Sequence, residues 1–173
     1  WERITLNSRD VYAFEETYLS SANVTSVGEY AEYAIDLGTS NASVFLLSSV
    51  TKTEDMVCIA SREASYKPSL EIVCKDGSTT TLYPIRDTYI RAYDNNADFS
   101  SNIYGNSTEL YVKDSWYQTS DGRYMPYSSK SRRAYIAFDS TKIPGNIKKA
   151  TLKFYAKIVP EEGVAQATET NHE

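Results

Sequence analysis

Histidine is nearly absent from this chain: His172 is the single copy among 173 residues, beside the C-terminal end. One imidazole without an evident orienting partner assembles neither a multi-histidine metal site nor a Ser-His-Asp triad. Cations are in deficit too, 18 Lys and Arg against 23 Asp and Glu. The net charge of −5 has the wrong sign for a protein that grips a phosphate backbone. The aromatic residues do not follow RRM or OB spacing either, so nucleic acid is not an expected partner. No apolar run approaches the roughly 18 residues of a membrane-spanning helix, and no membrane insertion is expected. Adjacent acidic pairs do occur, at Glu15-Glu16, Glu54-Asp55 and Glu161-Glu162. Neighbours on a strand point to opposite faces, so such pairs cannot flank one glycosidic bond as a glycosidase requires. No catalytic residue is assigned, and the chain is not expected to be an enzyme.

Methionine (2), proline (5) and glycine (7) are sparse, whereas tyrosine supplies 15 residues beside 5 Phe and 2 Trp. Amphipathic rings in such number suit a β-rich chain whose side chains lie half out of the core. They serve either as sheet-surface packing or as a platform for sugar rings or a neighbouring subunit. Period-two alternation runs along the whole chain, and helical periodicity is scarce. Between Lys149 and Ile158 one face carries Ala150, Leu152, Phe154, Ala156 and Ile158. The other face carries Lys149, Thr151, Lys153, Tyr155 and Lys157. In Glu29–Leu37 the inward set is Ala31, Tyr33, Ile35 and Leu37, with Glu32 and Asp36 outward; in Arg133–Asp139 it is Ala134, Ile136 and Phe138. Further strands are expected near 4–7, 10–14, 43–49, 56–61, 69–74, 80–84, 87–93 and 109–113. About ten short strands with Gly, Asn, Asp and Ser at the joints predict an all-β fold, an antiparallel β-sandwich of the jelly-roll type.

The longest irregular stretches, 94–108 and 114–131, precede a polar tail at 160–173, and loops of that length are uncommon unless functional or disordered. In the first, Asp94, Asn95 and Asp98 offer oxygens to a hard cation such as Ca2+, without the EF-hand spacing or its closing Glu. Asx turns that satisfy their own backbone look the same. Asp87 and Asp139 are either contributors to that site or structural acceptors. In the second, Trp116, Tyr117, Tyr124 and Tyr127 offer ring faces to sugars, and Arg123 and Lys130 suit uronate or sulfate groups. Packing against a neighbouring module is an equally ordinary use of those rings. Cys58 and Cys74 are symmetric about Tyr66, so a hairpin turning at Ser65-Tyr66-Lys67-Pro68 sets them opposite each other. They form a disulfide, implying an oxidising compartment, or remain two buried thiols. Asn23, Asn41 and Asn106 head glycosylation sequons, which chance alone supplies in a chain this rich in Ser and Thr.

From residue 80 onward the motifs have a known order. Pro84-Ile85-Arg86-Asp87-Thr88-Tyr89-Ile90-Arg91, Asn102-Ile103-Tyr104-Gly105 and Leu110-Tyr111-Val112 come first. Arg133 to Asp139, Ile143-Pro144, Ile147 and Ala150 to Tyr155 follow. This stretch resembles the first half of the DNRLRE-type modules, which are similar to carbohydrate-binding module family 96. Trp1 to Asn7, Glu32 to Leu37 (Tyr30 or Tyr33 standing where Trp is usual), Ala60-Ser61-Arg62-Glu63 and Pro68 to Ile72 resemble the second half. The halves therefore come in reversed order: 1–75 as the C-terminal half of one module, 76–79 as a linker, and 80–173 as the N-terminal half of the next, together one module equivalent.

Three arrangements follow from the reversal: one period of a tandem array, a circular permutant whose halves pair within one chain, or a subunit that exchanges strands with its neighbours. In the first and third, a lone chain cannot close its own core. The chain opens at Trp1 with neither initiator Met nor signal peptide, as a processed form or a segment would. The resemblance implies a non-catalytic structural or adhesive repeat unit of an extracellular fibre or large surface protein, partnered by copies of itself. The alternative is a carbohydrate-binding module that holds an acidic polysaccharide for an attached lyase or hydrolase.

Overall fold

A computed structural model of the chain describes residues 19–49, 55–91, 104–113, 116–118, 120–121, 124–126 and 131–160. In chain order the strands are β1 (Ala31–Asp36), β2 (Val44–Leu47), β3 (Asp55–Ala60), β4 (Ser69–Cys74), β5 (Thr79–Leu82) and β6 (Arg86–Arg91). They continue with β7 (Glu109–Val112), β8 (Trp116–Gln118), β9 (Tyr124–Pro126), β10 (Arg132–Ala137) and β11 (Ile147–Pro160). The strands expected at 4–7 and 10–14 lie outside the described residues.

The alternation that marks Lys149–Ile158 produces the spine of the larger sheet. Apolar side chains at every second position need one buried face, and Ala150, Leu152, Phe154 and Ala156 are all buried. β11 is antiparallel to β1 along one edge, from Ala31 opposite Ala156 to Asp36 opposite Thr151. Along its other edge lie β3, opposite 156–160, and β4, opposite 147–153. β7 and β5 then flank β3 and β4. The smaller sheet has the order β2-β10-β6, and β8 and β9 form a separate two-stranded ribbon inside the stretch expected to be irregular.

The two sheets enclose one core. Within it Ile35, Leu152, Leu70 and Leu82 make a cross-strand row over four strands of the larger sheet. Phe45, Tyr89, Ala134, Ile136 and Phe138 face it from the smaller one. Phe138 meets Phe45 edge-on, with ring centroids 5.9 Å apart. The protein is an antiparallel β-sandwich.

Both halves of the sequence build both sheets. β10 runs between β2 and β6, and β11 between β1 and the β3–β4 row. Among the described residues no strand of 19–75 pairs with another strand of that segment. Residues 75–78 form the tight turn of the β4–β5 hairpin. There Gly77 takes φ +85°, and the Asp76 carboxylate accepts the Ser78 N–H at 2.9 Å. Asp139 caps a short 3-10 turn over Ser140–Lys142, accepting the Thr141 N–H at 3.0 Å and its hydroxyl at 2.6 Å.

One expectation is corrected by the register. β3 and β4 are not a hairpin around Tyr66; they run in the same direction, end to end, along one edge of β11. Cys58 sits opposite Lys157 and Cys74 opposite Ile147. Ten residues of extended strand hold the two sulfurs about 30 Å apart, far beyond disulfide reach. Both thiols are free and buried.

Candidate functional site: the outer face of the large sheet

The side chains of β11 that turn away from the core meet their cross-strand neighbours on the opposite face. Lys157 lies beside Cys58, which lies beside Tyr111 of β7. Tyr155 lies beside Glu32 of β1, and Lys153 beside Ser69 of β4. Between Ile59 and Ser69 the chain leaves the sheet and returns, while β11 advances only from Ala156 to Lys153. The excursion is pinned at both ends. Buried Ser61 donates its N–H to the Thr108 carbonyl at 3.1 Å and accepts the Glu63 N–H on its hydroxyl at 3.0 Å, and Pro68 is fully buried.

That loop returns Tyr66 to the outer face. Its ring centroid lies 4.9 Å from Tyr155 and 6.5 Å from Tyr30, and the residue is 54% exposed. The Tyr155 hydroxyl donates to Glu32 Oε2 at 2.8 Å, and Lys153 Nζ pairs with Glu71 Oε1 at 2.8 Å. The result is a shallow tyrosine platform with carboxylates and an ammonium at its rim.

Beneath the platform lies a closed polar network. Glu109 accepts the Tyr30 hydroxyl on Oε1 at 2.9 Å and the Tyr111 hydroxyl on Oε2 at 2.5 Å, with Lys157 Nζ 3.4 Å from Oε1. Lys157 Nζ stands 4.3 Å above the centroid of the Tyr30 ring, a cation–π contact. The Tyr30 oxygen is 3.2 Å from Cys58 Sγ. Burial opposes ionisation of Glu109, yet the two phenols, the thiol and the ammonium together hold its carboxyl below the usual range. Burial and the hydrogen bonds to Glu109 raise the phenols of Tyr30 and Tyr111. Burial, with the Glu109 carboxylate nearby, pushes the Cys58 thiol up to about 12. A protonated, enclosed thiol is no nucleophile at neutral pH. This arrangement holds rings in place and presents them.

Tyr30 and Tyr33, either of which the sequence offers in place of a tryptophan, separate by face. Tyr33 turns inward over Phe154, centroids 6.0 Å apart, and its hydroxyl accepts the N–H groups of Thr25 and Ser26 at 3.0 and 2.9 Å.

Of the binding residues expected from the sequence, Trp116 and Tyr117 fall on β8 and Tyr124 on β9, with Trp116 opposite Pro126 and Gln118 opposite Tyr124. Arg123, Tyr127 and Lys130 lie outside the described residues, as do Asp94, Asn95 and Asp98 of the expected Ca2+ loop. Among the described residues no three His, Cys, Asp or Glu side chains come together to hold a metal ion. Sequence reasoning missed the platform itself. Tyr155 and Lys157 were legible as outward positions of β11, but Tyr66 read as a turn and Tyr30 as a variant of a motif.

A family model, carbohydrate-binding module family 96, matches residues 78–172. The chain belongs to that family. The match begins in the β4–β5 turn and takes in every strand from β5 to β11. It therefore supplies Tyr155, Lys157, Glu109 and Tyr111 to the outer face. Tyr30, Glu32, Cys58 and Tyr66 come from the segment ahead of it. Neither a curated protein nor a solved structure matches the chain. Family 96 consists, by its name, of carbohydrate-binding modules, and the all-β sandwich agrees with that assignment.

Proposed function

We propose that the chain is a non-catalytic binding module that takes a polysaccharide on the outer face of its large sheet, within an extracellular or cell-surface protein. The observation that carries this reading is the half-exposed Tyr66 ring held against Tyr155 in a chain of family 96. Sugar rings have C–H-rich faces that pack on phenol rings, and their hydroxyls need donors and acceptors at the edge. Glu32, Glu71 and Lys153 stand where such hydroxyls would fall. Trp116, Tyr117 and Tyr124 on the β8–β9 ribbon, with Tyr127, Arg123 and Lys130 beside it in sequence, are a second candidate surface and the one suited to an acidic polysaccharide.

Affinity electrophoresis through polygalacturonate and through a soluble neutral β-glucan tests the assignment. Retardation is expected with at least one of them, and Tyr66→Ala or Tyr155→Ala should weaken it about tenfold, as loss of a stacking ring does. Trp116→Ala and Tyr124→Ala report whether the ribbon shares the ligand. A chain retarded by neither polymer, or tyrosine variants retarded like the parent, would sink the proposal.

The reversed order of the motif halves favours a second reading, in which these residues are a structural or adhesive unit of a fibre built from copies of itself. If copies are covalently continuous, trypsin acting on native material releases a peptide that runs from Ile158 through Glu173 into Trp1-Glu2-Arg3. A free amino group on Trp1 would instead mean discrete subunits.

A further inference from the structure

Two buried polar side-chain atoms lack a hydrogen-bond partner among the described residues, and they face each other: Arg62 Nε and Asp87 Oδ1, 3.7 Å apart. Buried polar groups are nearly always paired, so two complementary ones just short of bonding distance call for an explanation. Asp87 stands on β6 of the smaller sheet and its side chain is fully enclosed. Its other oxygen, Oδ2, accepts the backbone N–H of Arg62 at 2.6 Å. The carboxylate thus spans from one sheet to the loop that interrupts the other.

The surroundings leave Asp87 few other charged neighbours. β10 sets Ile136 opposite it, and the 104–108 turn brings Gly105 over its backbone carbonyl, 3.7 Å from where a Cβ would stand. Among the described residues the charged groups that act on it are Arg62 and Glu63, the latter 2.8 Å from the far end of the guanidinium. Four positions beyond Arg62 is Tyr66, carried between the exposed residues Ser65 and Lys67.

We infer that Asp87 is the positioning residue of the tyrosine platform: its carboxylate seats Arg62, and with it the Ser61–Pro68 loop, so that Tyr66 lies against Tyr155. This rests on the reading of the outer face as a polysaccharide site. The seat rests on the hydrogen bond from the Arg62 N–H to Oδ2, with the guanidinium beside Oδ1. Burial raises the Asp87 carboxyl, opposed by the Arg62 N–H and charge and reinforced by Glu63. A carboxyl raised in the seated state binds its proton more readily there than in an opened, solvated loop, so acidification does not release the seat. Asp87→Asn keeps an acceptor for the Arg62 N–H and the same shape, and it removes the charge.

The test compares the parent chain, Asp87→Ala, Asp87→Asn and Tyr66→Ala at neutral pH. Three readouts are followed: amide exchange at Arg62, the nuclear Overhauser contact between the Tyr66 and Tyr155 rings, and retardation by polygalacturonate and the neutral β-glucan. In the parent, the Arg62 amide should be protected and the Tyr66–Tyr155 ring contact present. Asp87→Ala should lose the Arg62 protection and the ring contact, with about tenfold weaker polysaccharide binding, and Asp87→Asn, which keeps the acceptor, should restore all three. Equal Arg62 protection and an unchanged ring contact in Asp87→Ala would overturn the inference. So would equal polysaccharide affinity of Asp87→Ala and the parent. If neither polymer binds, the polysaccharide reading fails, while the exchange and ring-contact data still decide the role of Asp87.

Discussion

Leu152→Ala is expected to lower the unfolding free energy by about 3–5 kcal/mol. Leu152 is 1% exposed, and the register sets it between Ile35 of β1 and Leu70 of β4. Truncation leaves a cavity in the middle of a row whose neighbours are fixed by backbone pairing on both sides, so little collapse can fill it. Against a typical domain stability of about 5–15 kcal/mol this is a large fraction. Lys153→Ala, one residue along and on the opposite face, should leave the unfolding midpoint nearly unchanged, because it removes only a solvent-screened ion pair with Glu71. Urea unfolding of the two variants checks the contrast. Equal midpoints would mean that β11 does not bury the face assigned to it.

Glu109→Ala should be the most damaging change on the outer face, at about 2–4 kcal/mol. It removes the shared acceptor of Tyr30 and Tyr111 and leaves Lys157 without its carboxylate. Glu109→Gln retains one acceptor oxygen and should cost less, with a further signature in pH. A carboxyl held below its unfolded value contributes stability that is fully present above that value and is lost as pH falls through the lowered one. For Glu109 this loss begins near the ordinary glutamate value of 4.5 and continues downward. The stability difference between the parent and Glu109→Gln should therefore shrink as pH is lowered from neutrality past that point. Asp36, Asp76 and Asp139 are also lowered by their local hydrogen bonds, but they titrate alike in both proteins and cancel in the difference. A difference that stays constant with pH would show that Glu109 is not held ionised by the two phenols.

Much of the fold could be read locally because strand faces follow from period-two alternation. Ala150, Leu152, Phe154 and Ala156 are buried as their spacing requires, and Glu32 and Asp36 are outward on β1. The failure at Cys58 and Cys74 has a physical cause. Two apolar strands on either side of a turn-forming Ser-Tyr-Lys-Pro look the same whether they pair with each other or lie in line on a third strand. What decides between them is β11, more than 70 residues further along the chain, whose continuous apolar face accepts both. The platform was hidden for the same reason. Tyr30, Tyr66 and Tyr155 converge through the register of three separate segments, and no spacing within any one of them reveals it.

The dependence of β1, β2, β3 and β4 on strands that follow them carries a kinetic consequence. During synthesis β1 to β4 emerge with apolar faces and open strand edges, and among the described residues of 19–75 none of them has a partner strand within that segment. Loop closures of this length are slow, and unpaired edges aggregate while they wait. Only when β11 leaves the ribosome can the large sheet close. Folding should thus be late, abrupt and sensitive to truncation at the C-terminal side: a nascent chain ending before Ile147 should remain as open to protease as an unfolded one, and a chain that includes Pro160 should not.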